Sequence, residues 1–160
     1  MMMSSLPDAR QVRLIYTDGT ERTVCCTAVE VPFPEGRLIV SRTDLNGIIT
    51  HANDAFVEMS GYEREALIGA PQHILRHPDM PKAAFQDLWA TVMRGEKWHG
   101  YVKNLRKDGS YYWVYASVVP NVRSGVIAGY TSVRRKPSRT RVAEAAARYE
   151  ELVKQEAASV

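Results

Sequence analysis

The sequence predicts an α+β domain, an antiparallel sheet into which the helices are inserted between its second and third strands. Three observations carry this. Short alternating runs flank Gly-containing turns before residue 52, the apolar period then lengthens to that of helices up to Gly95, and three strand-like runs follow in succession.

The elements follow in order. Residues 11–31 alternate apolar and polar side chains around Asp18-Gly19, a strong two-residue hairpin signal. Val31-Pro32-Phe33-Pro34-Glu35-Gly36 interrupts the pattern, because proline removes a ladder donor and keeps the preceding residue out of helix. Residues 38–43 and 48–51 read as a second hairpin, its tight turn Asp44-Leu45-Asn46-Gly47 drawing positive φ angles from Asn-Gly. Phe56, Met59, Leu67 and Ile68 then take helical spacing in short turns broken by Gly61, Gly69 and Pro71. Pro81 stands where a first helical residue belongs, and Ala84, Phe85, Leu88, Trp89, Val92 and Met93 form the apolar stripe of one full helix ended by Gly95. Residues 98–107, 111–122 and 126–135 are the remaining strands, separated by Lys107-Asp108-Gly109-Ser110 and Arg123-Ser124-Gly125. Pro137 and Ser138 open a last helix of about five turns, with Val142, Ala145, Ala146, Tyr149, Leu152 and Val153 on one stripe. The expected division is 1–36 for an N-terminal hairpin cap and linker, 37–136 for the main domain, and 137–160 for an amphipathic signalling or dimerisation helix.

The 160 residues make one domain with an ordinary globular balance, 45% apolar and 24% charged, which excludes disordered and fibrous classes. No run approaches the roughly 18 apolar residues of a membrane span, and Met1-Met2-Met3-Ser4-Ser5 is unlike a signal peptide, so the expectation is a cytoplasmic protein without direct membrane insertion. Cys25 and Cys26 are adjacent and point to opposite faces of a strand, which disfavours a bridge. A net charge of +3 is small for a nucleic-acid binder, and no nucleic-acid partner is expected. Neither a nucleophile elbow nor a glycine-rich phosphate loop occurs, so the chain is not expected to be an enzyme.

Several residues point to a pocket. On the strand after the long helix, Val102 and Asn104 share a face, and if that face is inward Asn104 is a buried amide. Such a group costs about 2–7 kcal/mol without partners, so it is either satisfied within the protein or meets a ligand. The run 111–119 is apolar on both faces, which requires a second cover for the sheet: the N-terminal hairpin, the last helix or another subunit. Gln72-His73-Ile74-Leu75-Arg76-His77-Pro78-Asp79-Met80-Pro81 concentrates polar groups, and Arg76 offers a planar fork suited to phosphate or carboxylate, an internal pair with Asp79 being the alternative. His73 and His77 stand four apart, but no third metal ligand is near and Pro78 ends the turn, so no metal site is expected. Arg134, Arg135, Lys136, Arg139 and Arg141 form a basic cluster that reads first as a solvated helix start, contact with phosphate or an acidic protein surface being the alternative.

Leu45-Asn46-Gly47-Ile48-Ile49-Thr50-His51-Ala52-Asn53-Asp54-Ala55-Phe56, Ser60-Gly61-Tyr62, Glu65-Ala66-Leu67-Ile68-Gly69 and Arg106-Lys107-Asp108-Gly109-Ser110-Tyr111-Tyr112-Trp113 resemble a Per-Arnt-Sim (PAS) sensory domain. More narrowly, Arg76-His77-Pro78-Asp79-Met80-Pro81, Phe85-Gln86-Asp87-Leu88-Trp89, Trp98-His99-Gly100 and Val102-Lys103-Asn104-Leu105-Arg106-Lys107 are similar to the PAS domain of bacterial aerotaxis receptors, over about residues 29–135. The resemblance implies a five-stranded PAS sheet holding FAD in the cleft beside the helical connection, and a role in redox or oxygen sensing. It implies flavin contacts at Asn53, Arg76, His77 and Asp79, and pocket positions near the ring system at Trp89 and Asn104. A homodimer, or a chemoreceptor or other signalling protein, is the implied partner. Segment 69–81 lacks the cysteine of the photosensor branch, which argues against blue-light adduct chemistry. Receptors of this family continue into a membrane anchor and long helices, whereas this sequence stops at Val160 after one helix, so the signal is expected to leave through a partner or further C-terminal sequence. A cofactor-free dimerisation module, or a haem sensor using His73 or His77, are the alternatives.

Overall fold

In the computed structural model, residues 9–16 and 19–158 are described; Met1 to Ser5 and Asp18 of the first turn lie outside them. Strands β1 (Arg10–Ile15) and β2 (Glu21–Cys26) pair as a separate antiparallel hairpin. The main sheet has the order β4-β3-β7-β6-β5, from β3 (Ile39–Thr43), β4 (Ile49–Ala52), β5 (Trp98–Leu105), β6 (Tyr111–Arg123) and β7 (Val126–Arg135), antiparallel throughout. Helices α1 (Asp54–Ser60), α2 (Arg64–Leu67) and α3 (Lys82–Met93) and a 3-10 turn at Gln72–Leu75 lie between β4 and β5, and α4 (Arg139–Ala158) follows β7. This is the α+β order expected, helices between strands two and three of the sheet.

The hairpin at 38–51 closes differently from the tight turn expected, while the Asp18 position of the first turn lies outside the described residues. Asp44 N–H donates to Ile48 O at 3.0 Å, so the loop holds Leu45, Asn46 and Gly47 and ends on a glycine with positive φ, 80° at Gly47. Asn46 is therefore not in the left-handed region, since Ser124 is the non-glycine with positive φ among the described residues. The reason is local: Asp44 Oδ1 accepts from Asn46 N at 2.8 Å and from Ile48 N at 3.1 Å, folding the loop around the aspartate, which two-residue loops do not permit. Residues past Cys26 leave the hairpin and dock on the main sheet, where Val31 N donates to Tyr111 O and Tyr111 N to Val29 O.

Asn53 starts α1 as its N-cap, accepting from Phe56 N at 3.0 Å, and Gly61 ends it with φ at 77°. Pro81 is the N-cap of α3 rather than its first residue, with an extended ψ of 150°. The free N–H groups of Lys82 and Ala83 donate instead to the Glu156 carboxylate of α4, at 2.9 and 3.0 Å. The stripe on α3 also differs from expectation: Val92 is buried, but Met93 is 67% exposed beside the turn that ends the helix.

The main core lies between sheet and helices, where Ile39, Ile49, Phe56, Leu67, Leu75, Val92, Tyr112 and Val114 are at most 1% exposed. Removing such a side chain costs about 2–5 kcal/mol in a typical core. On the other face Trp113 stacks under Tyr149 of α4, and the Tyr149 hydroxyl donates to Tyr101 O at 2.7 Å. The second cover of the sheet is thus α4, while the hairpin builds its own small core from Leu14, Tyr16, Val24 and Cys26 against Leu105.

Candidate functional site: an aromatic cavity with two buried arginines

Alternation along the strands points β5, β6 and β7 side chains toward α3, and the space left between them is a cavity of about 450 Å3. Ser41, Ala116, Val118, Tyr130, Ser132 and Arg134 form its floor on the sheet. Phe85, Leu88 and Trp89 of α3 form one wall, Trp98, Val102 and Asn104 of β5 another, and Tyr16, Gln72, His73 and Arg76 the rim. Helical spacing puts Phe85, Leu88 and Trp89 on one face of α3. Trp89 meets Tyr130 edge-on at 5.4 Å, and Trp98 Nε1 donates to Asp87 Oδ2 at 2.8 Å, so both indoles are fixed. The volume falls within the range of small-molecule sites.

Charge in this cavity is one-sided. Among the described residues its lining contains Arg76 and Arg134 and no Asp or Glu. Arg76 lies 4.9 Å from the centre of the Phe85 ring, and its Nε is buried with no hydrogen-bond partner. Burial lowers its pKa, opposed by Tyr16 and Glu156. Arg134 is 5% exposed, and its pKa is likewise lowered by burial. Arginine keeps its proton in proteins, so both positions present cations.

Of the residues singled out from the sequence, Arg76, Trp89 and Asn104 are brought together in the cavity. Asn104 is 7% exposed, the inward amide that strand alternation anticipates. Asn53, His77 and Asp79 do not line it. Asn53 Oδ1 also accepts from Val40 N at 3.1 Å and Nδ2 donates to Leu38 O at 2.9 Å, tying α1 to the start of β3. His77 is 1% exposed, accepts from Asp79 N at 3.0 Å and meets Tyr111 edge-on. Its pKa is held down to about 3 by burial and by nearby Lys103, against the pull of Asp79. Asp79 pairs with Arg10 at 2.9 Å and Lys103 at 2.8 Å, not with Arg76. Burial alone would raise its pKa, but the Lys103 hydrogen bond and the electrostatic effect of neighbouring His77, Lys103 and Arg10 bring it below the ordinary value. These residues bind the 76–81 loop to β1 and β5, and so fix the backbone that presents Arg76. The other histidine of that segment, His73, stacks on Tyr16 at 3.9 Å on the rim.

Arg134 is the site residue that the sequence reading missed. The other members of its basic cluster, Arg135, Lys136, Arg139 and Arg141, are exposed. The available signal was strand parity, which places Arg134 on the same face as Tyr130 and Ser132.

A family model described as the PAS fold matches residues 49–134. The chain belongs to the PAS family. This PAS domain is 48% identical over 126 residues to the aerotaxis receptor of Escherichia coli K12, covering 79% of this chain and 25% of the receptor. It is 28% identical over 102 residues to a nitrogen fixation regulatory protein of Klebsiella pneumoniae, covering 63% of this chain and 21% of that one. The chain thus spans a quarter or less of these curated relatives. Among solved structures, a light-oxygen-voltage domain probed with a flavin analogue superposes with a TM-score of 0.60 at 25% identity, over 71% of this chain and 85% of that one. A PAS domain from Colwellia psychrerythraea superposes with a TM-score of 0.53 at 26% identity, over 62% and 86% of the two chains. The expected kinship with aerotaxis-receptor PAS domains and the expected PAS fold both hold.

Proposed function

We propose that this PAS domain binds FAD in its cavity and serves as a redox or oxygen sensor of the aerotaxis type in the cytoplasm, signalling to a partner rather than turning over a substrate. The observation that carries the reading is the cavity itself: aromatic and apolar walls with two buried arginines and no acid among the described residues of the lining, a setting for a flat ligand that bears negative charge. The residues present fit such a group, since the buried Arg76 Nε and one buried Arg134 nitrogen lack partners. When bound, the flavin supplies reversible uptake of electrons.

The chain's own residues have distinct parts in this reading. Arg76, in a loop held by His77 and Asp79, faces an anionic group such as the pyrophosphate. Trp89, braced by Tyr130, offers a stacking face, and the Asn104 amide offers both a donor and an acceptor to the polar edge of the ring. Asn104 sits on β5 three residues after Tyr101, whose carbonyl holds the Tyr149 hydroxyl of α4. A change in what the Asn104 amide must donate or accept therefore reaches the last helix through one strand, and α4 passes it to a chemoreceptor-like protein or a second copy of the chain.

The test is the absorption spectrum of protein purified without added cofactor, followed by release and identification of any chromophore. A flavin spectrum that bleaches with dithionite, and FAD on release, are expected. A colourless protein that takes up no FAD overturns the reading and leaves a cofactor-free interaction module; a Soret band replaces flavin with haem.

A further inference from the structure

Within the cavity the two arginines differ. Arg76 stands at the rim, where the Glu156 carboxylate and Tyr16 favour its charged form. Arg134 stands on the floor, on a strand held on both sides, paired with Ile39 of β3 and Ala116 of β6. Its Nη2 donates to Ser41 Oγ at 3.1 Å, its guanidinium lies 4.9 Å from the centre of the Phe56 ring, and its Nη1 is buried without a partner. The neighbouring Tyr112 phenol has its pKa pushed up to about 12 by burial, so it is neutral and supplies no counter-charge. The guanidinium is thus an isolated, fixed, buried cation, the kind of group that is costly to hold unless a charge of opposite sign enters beside it.

Oxidised isoalloxazine is neutral, and uptake of two electrons and one proton leaves it with one negative charge. We propose that Arg134 makes this cavity bind the reduced, anionic flavin more tightly than the oxidised, neutral one, and so sets the potential at which the domain switches. The inference rests on the reading that the cavity holds flavin. A ligand's state shifts only as far as its two forms differ in affinity, and a bare cation in a low-dielectric pocket supplies such a difference where a paired one supplies little. Charge near the ring is one of the levers by which proteins tune this cofactor.

The experiment is a dithionite titration of the FAD-loaded wild type and of Arg134→Gln and Arg134→Lys against a reference dye, with the Kd of oxidised FAD measured separately by fluorescence. In Arg134→Gln the reduced form is expected to weaken at least tenfold more than the oxidised form, which lowers the two-electron midpoint by about 30 mV per tenfold of that difference. Arg134→Lys is expected to keep most of the wild-type potential. An Arg134→Gln midpoint equal to or above that of wild type, with FAD still bound, overturns the role of Arg134 and leaves flavin binding standing. Wild type that takes up no FAD overturns both. If Arg134→Gln does not fold, the wild type decides alone: a midpoint above that of free FAD supports the inference, and one at or below it overturns it.

Discussion

At the level of single residues, the polar side chains around the pocket divide between those that hold the backbone and those that face the cavity. Asn53 belongs to the first set, with one side chain serving the N–H of Phe56, the N–H of Val40 and the carbonyl of Leu38. Asn53→Ala is expected to cost about 1–2 kcal/mol, read as a fall in the urea midpoint. His77 adds a pH dependence. It stays neutral in the fold down to about 3, whereas an exposed histidine takes a proton near about 6.5, so between those values the unfolded chain binds the extra proton. Stability is therefore full above that window and falls as pH drops through it, at most by about 1.4 kcal/mol per pH unit. Asp79, depressed below its ordinary value, adds a further loss at the acid end. Urea midpoints between about pH 7 and 4.5 should fall less steeply in His77→Gln than in wild type, and equal slopes would assign the acid sensitivity elsewhere. Which residues reach the cavity was partly legible beforehand. Asn104 follows from alternation and Trp89 from helical spacing, whereas Arg134 was hidden because three consecutive basic residues look alike in sequence and only pairing on both sides of β7 buries the first of them.

At the level of elements, the outer strands were legible because their alternation matches the pleat, the run 111–119 because turns bound it although both its faces are apolar, and α3 because its stripe matches the helical period. Less visible was how the ends are finished. The loop after β3 gained a residue because the Asp44 side chain folds it and Gly47 takes the left-handed φ, and Met93 left the stripe because a stripe does not show where its helix runs out of neighbours. Least visible of all was the closure of the α3 N-terminus by Glu156, a contact across 74 residues that no local pattern encodes. Glu156→Ala should cost about 1 kcal/mol and speed amide exchange across both the first turn of α3 and the last turns of α4. Faster exchange in α3 alone would mean that Tyr149 and Val142 suffice to hold α4.

At the level of the whole molecule, the cavity is enclosed by parts distant in the chain: a sheet floor, an α3 wall, and a rim completed by Tyr16 of the N-terminal hairpin. FAD at about one hundred times its Kd should stabilise the native state by about 2.7 kcal/mol, read as a rise in melting temperature. No rise at that excess would count against the cavity as its site. The hairpin itself is held by Arg22, which donates to Ile74 O at 3.1 Å and Tyr62 Oη at 3.0 Å, and by Arg10 on Asp79. The segment that follows it pairs with Tyr111. The first part of the described chain to leave a ribosome is therefore among the last that can dock, because its partners are made up to about a hundred residues later. Until then one end of the cavity stands open.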